Sequence, residues 1–141
     1  MSSGYKFTDH TADIAVELTA DSIEELFRIS AKAFNEAVVE SDTISLAEDF
    51  KLFLDSHSLE ILLVSFLNEL NFRLVNKRKI SININELKIT QNDEAWFLRC
   101  ILQENNIDED KIKTEIKSVT YHQMEIKEEN GKYSTRIVFD I

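Results

Sequence analysis

The sequence predicts an α+β fold in which two helices pack on a mostly antiparallel or mixed β-sheet. Three observations support this class: short segments with alternating apolar residues, two longer segments with helical apolar spacing, and an Asn-Gly pair near the C-terminus. The predicted order is strand, helix, strand, helix and then several strands. A length of 141 residues suits one domain, which we expect to cover residues 1–141.

The first strand and first helix follow one another within the N-terminal third. Residues 12–19 alternate apolar and polar side chains, which indicates a half-buried strand. Ser22 precedes Glu25 by three positions, the spacing of a capping box. Apolar residues then recur at helical intervals, so we expect an amphipathic helix over 22–40.

A second strand and a second helix come next. Alternation near 48–55 predicts a strand, and Ser56 or Ser58 can cap a helix over about 58–75. Apolar residues lie nearly all round this second helix. We therefore expect it to be the more buried helix of the two.

From residue 80 onward the sequence predicts mainly strands. Apolar alternation predicts strands at 80–84 and 96–102, and residues 104–111 read as a polar loop. Two further strands are expected, at about 112–127 and 132–141. The Asn-Gly pair in the segment 128–131 between them is typical of a β-hairpin turn.

Composition excludes several classes of function. Sixteen basic and 26 acidic residues give a net charge of −10, which argues against strong direct binding to nucleic acid and permits a cation or a basic protein partner. Only two glycines are present, which excludes Gly-rich phosphate loops. Cys100 is the single cysteine, so no internal disulfide or cysteine zinc cage is expected. No long apolar run or signal-peptide core occurs, and we expect a cytoplasmic protein without membrane contact.

The first candidate site is the run Asp9-His10-Thr11-Ala12-Asp13, directly before the first clear strand. Two carboxylates and an imidazole within five residues are suited to an oxygen-rich cation site. The alternative is a turn in which Asp9 or Asp13 accepts hydrogen bonds from nearby backbone amides. The spacing alone leaves both open.

The second candidate is the C-terminus, which ends inside an apolar strand. Asp140 and the α-carboxylate of Ile141 place two negative groups side by side, which a buried strand end tolerates only with a nearby cation or basic residue. If the 12–19 strand lies beside the last strand, Asp13, Asp140 and the terminal carboxylate converge as a cation cage. The alternative is a solvated strand end.

The third candidate is the segment 115–122. Lys117 suits contact with a phosphate or carboxylate, or is a solvated lysine on an edge strand. Tyr121 and His122 suit acid–base chemistry. No serine or cysteine nucleophile motif accompanies them, and Cys100 and Trp96 alternate with apolar residues as core positions do.

Taken together, these pieces resemble the archease family over nearly the whole chain. The resemblance is carried by Asp-His-Thr-Ala-Asp at 9–13, Asp-Ser-Ile-Glu-Glu-Leu-Phe at 21–27, the helix segment 62–70, Lys-Ser-Val-Thr-Tyr-His at 117–122 and the terminal Asp-Ile. One departure is the tract 107–112, where relatives commonly have a histidine and this chain has none.

The resemblance implies a small acidic protein cofactor, not an enzyme. Archeases assist RtcB-type RNA ligases in tRNA splicing and RNA repair, promoting guanylylation of the ligase histidine and multiple turnover. The family's divalent metal site maps to Asp13, Asp140 and Ile141, with Ca²⁺ expected first and Mg²⁺ or Mn²⁺ as alternatives. Asp9, His10, Lys117 and His122 are candidates for supporting or partner-contact roles.

Two other functions stay open from the sequence. One is a stand-alone metal-dependent phosphoester hydrolase using Asp9, His10, Asp13 and His122. The other is a general chaperone-like scaffold, which requires an exposed apolar patch. The absence of a nucleophile motif argues against the first, and the specific acidic constellation argues against the second.

Overall fold

A computed structural model describes residues 3–8, 13–40, 48–121 and 124–141 of the chain. Within these ranges it contains eight strands, two α-helices and one 3₁₀ turn. The elements are β1 (Gly4–Thr8), β2 (Asp13–Ala20), α1 (Ile23–Val38), β3 (Glu48–Ser56), α2 (Leu59–Lys77), β4 (Lys79–Asn92), β5 (Ala95–Asn106), the 3₁₀ turn (Glu109–Lys111), β6 (Ser118–Thr120), β7 (Lys127–Glu129) and β8 (Lys132–Asp140).

The strands form two sheets, and the two helices lie between them. One sheet has the order β1-β2-β8-β6, with β7 also paired to β8, and the other has the order β3-β5-β4. Every pairing among the strands given above is antiparallel. Both helices contact strands of both sheets. The predicted α+β class is thus confirmed, with the strands divided over two sheets.

One hydrophobic core runs through all three layers. Phe27 of α1 packs on Phe66 of α2 with ring centroids 5.6 Å apart. Phe34 of α1 packs edge-on against Phe139 of β8 at 6.0 Å. All four rings are fully buried, and burial of each such side chain contributes about 1.5–3 kcal/mol to stability. The core therefore ties the last strand of the chain to the first helix.

Both helices begin where the sequence predicts. The Ser22 hydroxyl accepts a hydrogen bond from the Glu25 amide at 3.0 Å, and Ser58 accepts one from the Ile61 amide at 3.1 Å. Of the two candidate caps for α2, Ser58 is the one used. Helix α2 ends at Lys77, and the capping residue after it, Arg78, adopts a left-handed conformation with φ of 54°.

The expectation that the second helix is the more buried one is wrong. Each helix has nine buried residues, although α2 is three residues longer. Three apolar side chains of α2 are exposed, namely Ile61, Phe72 and Val75. The reason is that both helices lie in the same middle layer, where α1 also contacts a sheet on either side.

The last third differs from the prediction in two places. Strand β5 continues to Asn106, so residues 104–106 are not loop, and Glu104 is 2% exposed. The long strand expected at 112–127 is wrong: among its described residues, Ser118–Thr120 form β6 and Lys127 begins β7, and both of these short strands pair with β8. The hairpin turn is confirmed, with positive φ at both Asn130 (55°) and Gly131 (78°), as a type I′ turn requires.

Candidate functional site

The predicted pairing of the first and last clear strands is present and sets the geometry of the site. Strand β2 runs antiparallel to β8, and Asp13 lies directly opposite Asp140. Val16 and Leu18 of β2 are buried, so Asp13, an odd position of the same strand, belongs to the outer face of the sheet. Two carboxylates 127 positions apart in sequence therefore meet at one strand end.

The surroundings of these carboxylates bear on cation binding. Asp13 is half-buried, with its Oδ1 shielded from solvent, whereas Asp140 is exposed. Like charges directly opposite one another on neighbouring strands destabilise a sheet. A cation at this strand end would remove that repulsion, and carboxylate oxygens are the donors that hard divalent ions prefer.

The C-terminal strand end is held by backbone contacts. The Lys117 amide donates to the Asp140 carbonyl at 2.8 Å, and Ser118 lies opposite Asp140 on β6. The Lys117 side chain itself is exposed. Its backbone thus positions Asp140. Ile141 follows Asp140 directly and is 42% exposed.

Helix α2 holds β6 in place through two asparagines that the sequence analysis missed. The Asn68 side chain accepts from the Val119 amide at 2.9 Å and donates to the Val119 carbonyl at 3.3 Å. Asn71 donates to the Ile116 carbonyl at 2.8 Å. The available signal was two amide side chains on an otherwise apolar helix face. They position β6, and through it the end of β8.

A cleft of about 780 Å³ extends from the paired carboxylates along the outer face of the five-stranded sheet. Its charged lining residues are Asp13, Glu17, Glu125, Lys127, Arg136 and Asp140. Glu17 lies opposite Arg136 on the neighbouring strand, and Glu125 lies 3.8 Å from the Lys127 ammonium. Basic side chains therefore accompany the carboxylates in the middle of the cleft, whereas its Asp13 and Asp140 end pairs carboxylate with carboxylate.

The structure brings together some of the predicted site residues. Asp13, Asp140 and Ile141 lie at one strand end. Asp9, His10 and His122 lie outside the described residues. Across 3–8, 13–40, 48–121 and 124–141, no group of three or more His, Cys, Asp or Glu side chains is arranged to hold a metal ion. At this strand end the described residues thus supply two carboxylate side chains, those of Asp13 and Asp140.

The other predicted reactive groups are placed as core or surface residues. Cys100 is buried, as expected, and burial raises the pKa of its thiol to about 12. A thiol with so high a pKa is a poor nucleophile at neutral pH. Trp96 packs against the core, and Tyr121 is 48% exposed. Neither described helix is both long and apolar enough to cross a membrane.

Comparison of this chain with known proteins finds relatives that match it over nearly its whole length. The model of the Archease protein family (MTH1598/TM1083) matches residues 5–141. The chain is 32% identical to the protein archease of Pyrococcus furiosus over 136 residues, covering 94% of this chain and 95% of that protein. It is 30% identical to the protein archease of Methanopyrus kandleri over 135 residues, covering 94% and 96%.

Two solved structures have the same fold. The solution structure of Methanobacterium thermoautotrophicum protein 1598 superimposes with a TM-score of 0.78 at 27% identity, covering 98% of this chain and 99% of the other. A crystal structure of an archease, possible chaperone, from Thermotoga maritima gives a TM-score of 0.59 at 22% identity, with 96% of each chain covered.

Proposed function

This chain belongs to the archease family, and on that premise we propose that it activates an RtcB-type RNA ligase and does not itself catalyse a reaction. The ligase joins RNA ends during tRNA splicing and RNA repair. The chain's part is to promote guanylylation of the ligase histidine and to sustain multiple turnover. The observation that supports this most directly is the cross-strand pairing of Asp13 with Asp140, since these are the family's metal positions.

A divalent ion is part of the proposal. Asp13, Asp140 and the α-carboxylate of Ile141 would hold it, with Ca²⁺ first and Mg²⁺ or Mn²⁺ as alternatives. When bound, the ion would supply positive charge at an otherwise negative strand end. The chain's own residues do the rest: the Lys117 amide fixes the Asp140 backbone, and Asn68 fixes β6 beside it.

Charge complementarity supports a protein partner that handles RNA. The chain carries a net charge of −10, and its cleft is lined by four carboxylates and two basic side chains, those of Lys127 and Arg136. A ligase must be positively charged where it holds RNA phosphates. Opposite potentials accelerate the encounter of two proteins, and salt weakens this effect. We place Asp13 and Asp140 on the surface that meets the ligase near its nucleotide pocket.

The direct test is a multiple-turnover ligation assay with the cognate ligase. The substrate is RNA with 2′,3′-cyclic phosphate and 5′-hydroxyl ends, supplied with GTP and divalent ion. Asp13→Asn and Asp140→Asn keep side-chain volume and remove charge, and we expect both to abolish stimulation. Glu129→Gln is the matched control, because Glu129 is exposed on the same sheet at the opposite end of β8.

The outcomes separate the function from the site. No stimulation by the wild type with a verified cognate ligase would contradict the proposed function. Normal stimulation by both folded aspartate variants would contradict the site while leaving the function standing. Phosphoester hydrolysis without ligase would favour the stand-alone hydrolase using Asp9, His10, Asp13 and His122, and suppression of aggregation of unrelated proteins would favour a chaperone-like scaffold.

A further inference from the structure

The outer face of the three-stranded sheet differs from the rest of this acidic molecule. Its strands β3, β5 and β4 turn their buried positions toward the helices. The opposite face exposes a row in which Phe53, Arg99 and Lys88 stand side by side across the three strands. Phe97 and Lys51 occupy diagonal positions next to that row.

The two aromatic side chains of this face differ in exposure. Phe53 is 68% exposed, the highest value among the large apolar side chains of the described residues. Leaving a phenylalanine exposed forgoes much of the stabilisation that its burial would provide. Phe97 lies next to it and is half-buried. Together they line a shallow depression of about 380 Å³ with Lys88, Thr90, Leu98 and Arg99.

The cations of this face are available for a ligand. Among the residues that the structure describes, Lys51, Lys88 and Arg99 take part in none of the ion pairs. Two carboxylates, Asp49 and Asp55, lie on the same face toward the two ends of β3, and the cations occupy the middle. The centre of the face is thus locally positive on a chain whose net charge is −10.

We infer that this face binds single-stranded RNA. Bases stack on exposed aromatic rings of a sheet, and neighbouring lysine and arginine side chains contact the backbone phosphates. Phe53 and Phe97 provide two stacking planes, and Arg99 lies opposite Phe53 and two residues from Phe97. Lys88 lies opposite Arg99, and Lys51 lies two residues from Phe53, whereas Asp55 lies opposite Phe97. The side chains of Asn85 and Thr90 on β4 provide hydrogen-bonding groups for a ribose 2′-hydroxyl.

An acidic peptide fits this face less well. It would use the three cations but would leave two flat aromatic surfaces without a partner of matching shape. The net charge of the chain repels a polyanion at long range, so RNA binding here is weak and falls steeply with salt. This agrees with the expectation that the protein does not bind nucleic acid strongly. The inference uses none of the residues of the proposed metal site and stands independently of ligase activation.

The test is fluorescence anisotropy of a fluorescein-labelled 12-nucleotide single-stranded RNA titrated with the full-length protein at 50 mM NaCl. We expect Phe53→Ala to weaken binding about tenfold, the loss of roughly one stacked base. We expect Lys88→Gln and Arg99→Gln each to reduce the salt dependence of log Kd by about 0.7. The control is Phe72→Ala, which removes a 51% exposed ring from α2, and it should bind as the wild type does.

Several results would overturn the inference. These are no saturable binding up to 200 μM protein, equal affinities for wild type and Phe53→Ala, and equal losses in Phe53→Ala and Phe72→Ala. Binding of duplex RNA as tight as single strand would exclude stacking as the cause. Equal binding of DNA of the same sequence would exclude RNA selectivity, and displacement of RNA by poly-glutamate at equal charge would assign the face to an acidic protein instead.

Discussion

Glu104 and the Asp13–Asp140 pair show two different ways in which this fold places carboxylates. Glu104 lies on the core side of β5 and is 2% exposed. Arg73 of α2 binds both of its oxygens, with Nε to Oε2 at 2.5 Å and an Nη to Oε1 at 2.8 Å. The guanidinium also lies 3.4 Å above the centre of the Phe50 ring. This carboxylate therefore receives its countercharge from the chain itself.

The strand ends of β2 and β8 show a second arrangement. There the register sets Asp13 against Asp140, so a carboxylate faces a carboxylate. The Glu104 site is what a stability role requires, since a buried charge is costly unless it is paired and hydrogen-bonded. The Asp13 site carries a like-charge opposition that stability alone does not explain, which is typical of sites retained for function.

The largest expected effect is on the Glu104 site. Glu104→Gln removes the charge that balances Arg73, whose side chain is only 13% exposed, so we expect the free energy of unfolding to fall by about 3 kcal/mol. The measurement is urea denaturation monitored by circular dichroism. Glu48→Gln is the control, because its ion pair with Lys79 involves a 67% exposed carboxylate and should contribute less than about 1 kcal/mol.

If Glu104→Gln lowers the free energy of unfolding by less than about 1 kcal/mol, the Glu104 pair contributes no more than an exposed ion pair does. The contrast between a structural Glu104 site and a functional Asp13–Asp140 site would then not hold. If the folded fraction of this variant still stimulates the ligase, the contrast is supported, because Glu104 then has a structural role only.

The next effect concerns the Asp13–Asp140 site. Compared with the wild type, the variant should be more stable without divalent ions and less stable with them. Without divalent ions, Asp140→Asn relieves a like-charge opposition, so we expect the variant to be up to about 1 kcal/mol more stable than the wild type. With Ca²⁺ at a hundred times its Kd, the wild type should gain about 2.7 kcal/mol and the variant nothing. Thermal unfolding in EDTA and in CaCl₂ measures both.

Glu129→Gln serves as the control here and should respond to Ca²⁺ as the wild type does. A calcium-induced rise in Tm that persists in Asp140→Asn would place the ion elsewhere on the molecule.

The smallest effect concerns an exposed ion pair of the same sheet. Lys132 donates to Asp21 at 2.6 Å, and this hydrogen bond is the main cause that lowers the pKa of the Asp21 carboxyl below 3.8. A lowered pKa means that the stabilisation is complete above pH 3.8 and disappears as pH falls through the folded-state pKa. Asp21→Asn should therefore be slightly less stable at neutral pH, and the two proteins should converge in acid.

Urea midpoints measured from about pH 2 to pH 7 follow this convergence. Because the Asp21 side chain is 60% exposed, the difference should be smaller than that of Glu104→Gln at every pH. A constant offset over the whole pH range would mean that the carboxyl of Asp21 does not act through its charge.

The local features of this protein follow from short stretches of its sequence. Ser22 and Ser58 start the helices, and Asn130-Gly131 turns the final hairpin, because a cap or a tight turn depends on residues within four positions. Strands in which apolar and polar residues clearly alternate could also be predicted, since this alternation indicates that one face of the strand is buried. The candidate metal residues were found partly through resemblance to a family, as spacing alone left Asp13 and Asp140 open to other interpretations.

The long-range features were decided only by the tertiary structure. The split into two sheets, the meeting of Asp13 with Asp140 and the amide contacts from Asn68 to Val119 all join residues far apart in sequence. Glu104 was read as loop because a charged residue resembles a surface residue until its partner is known, and Arg73 lies 31 positions away. The physical reason is common to all of them: strand register and charge pairing depend on what packs alongside, and a linear pattern does not contain that neighbour.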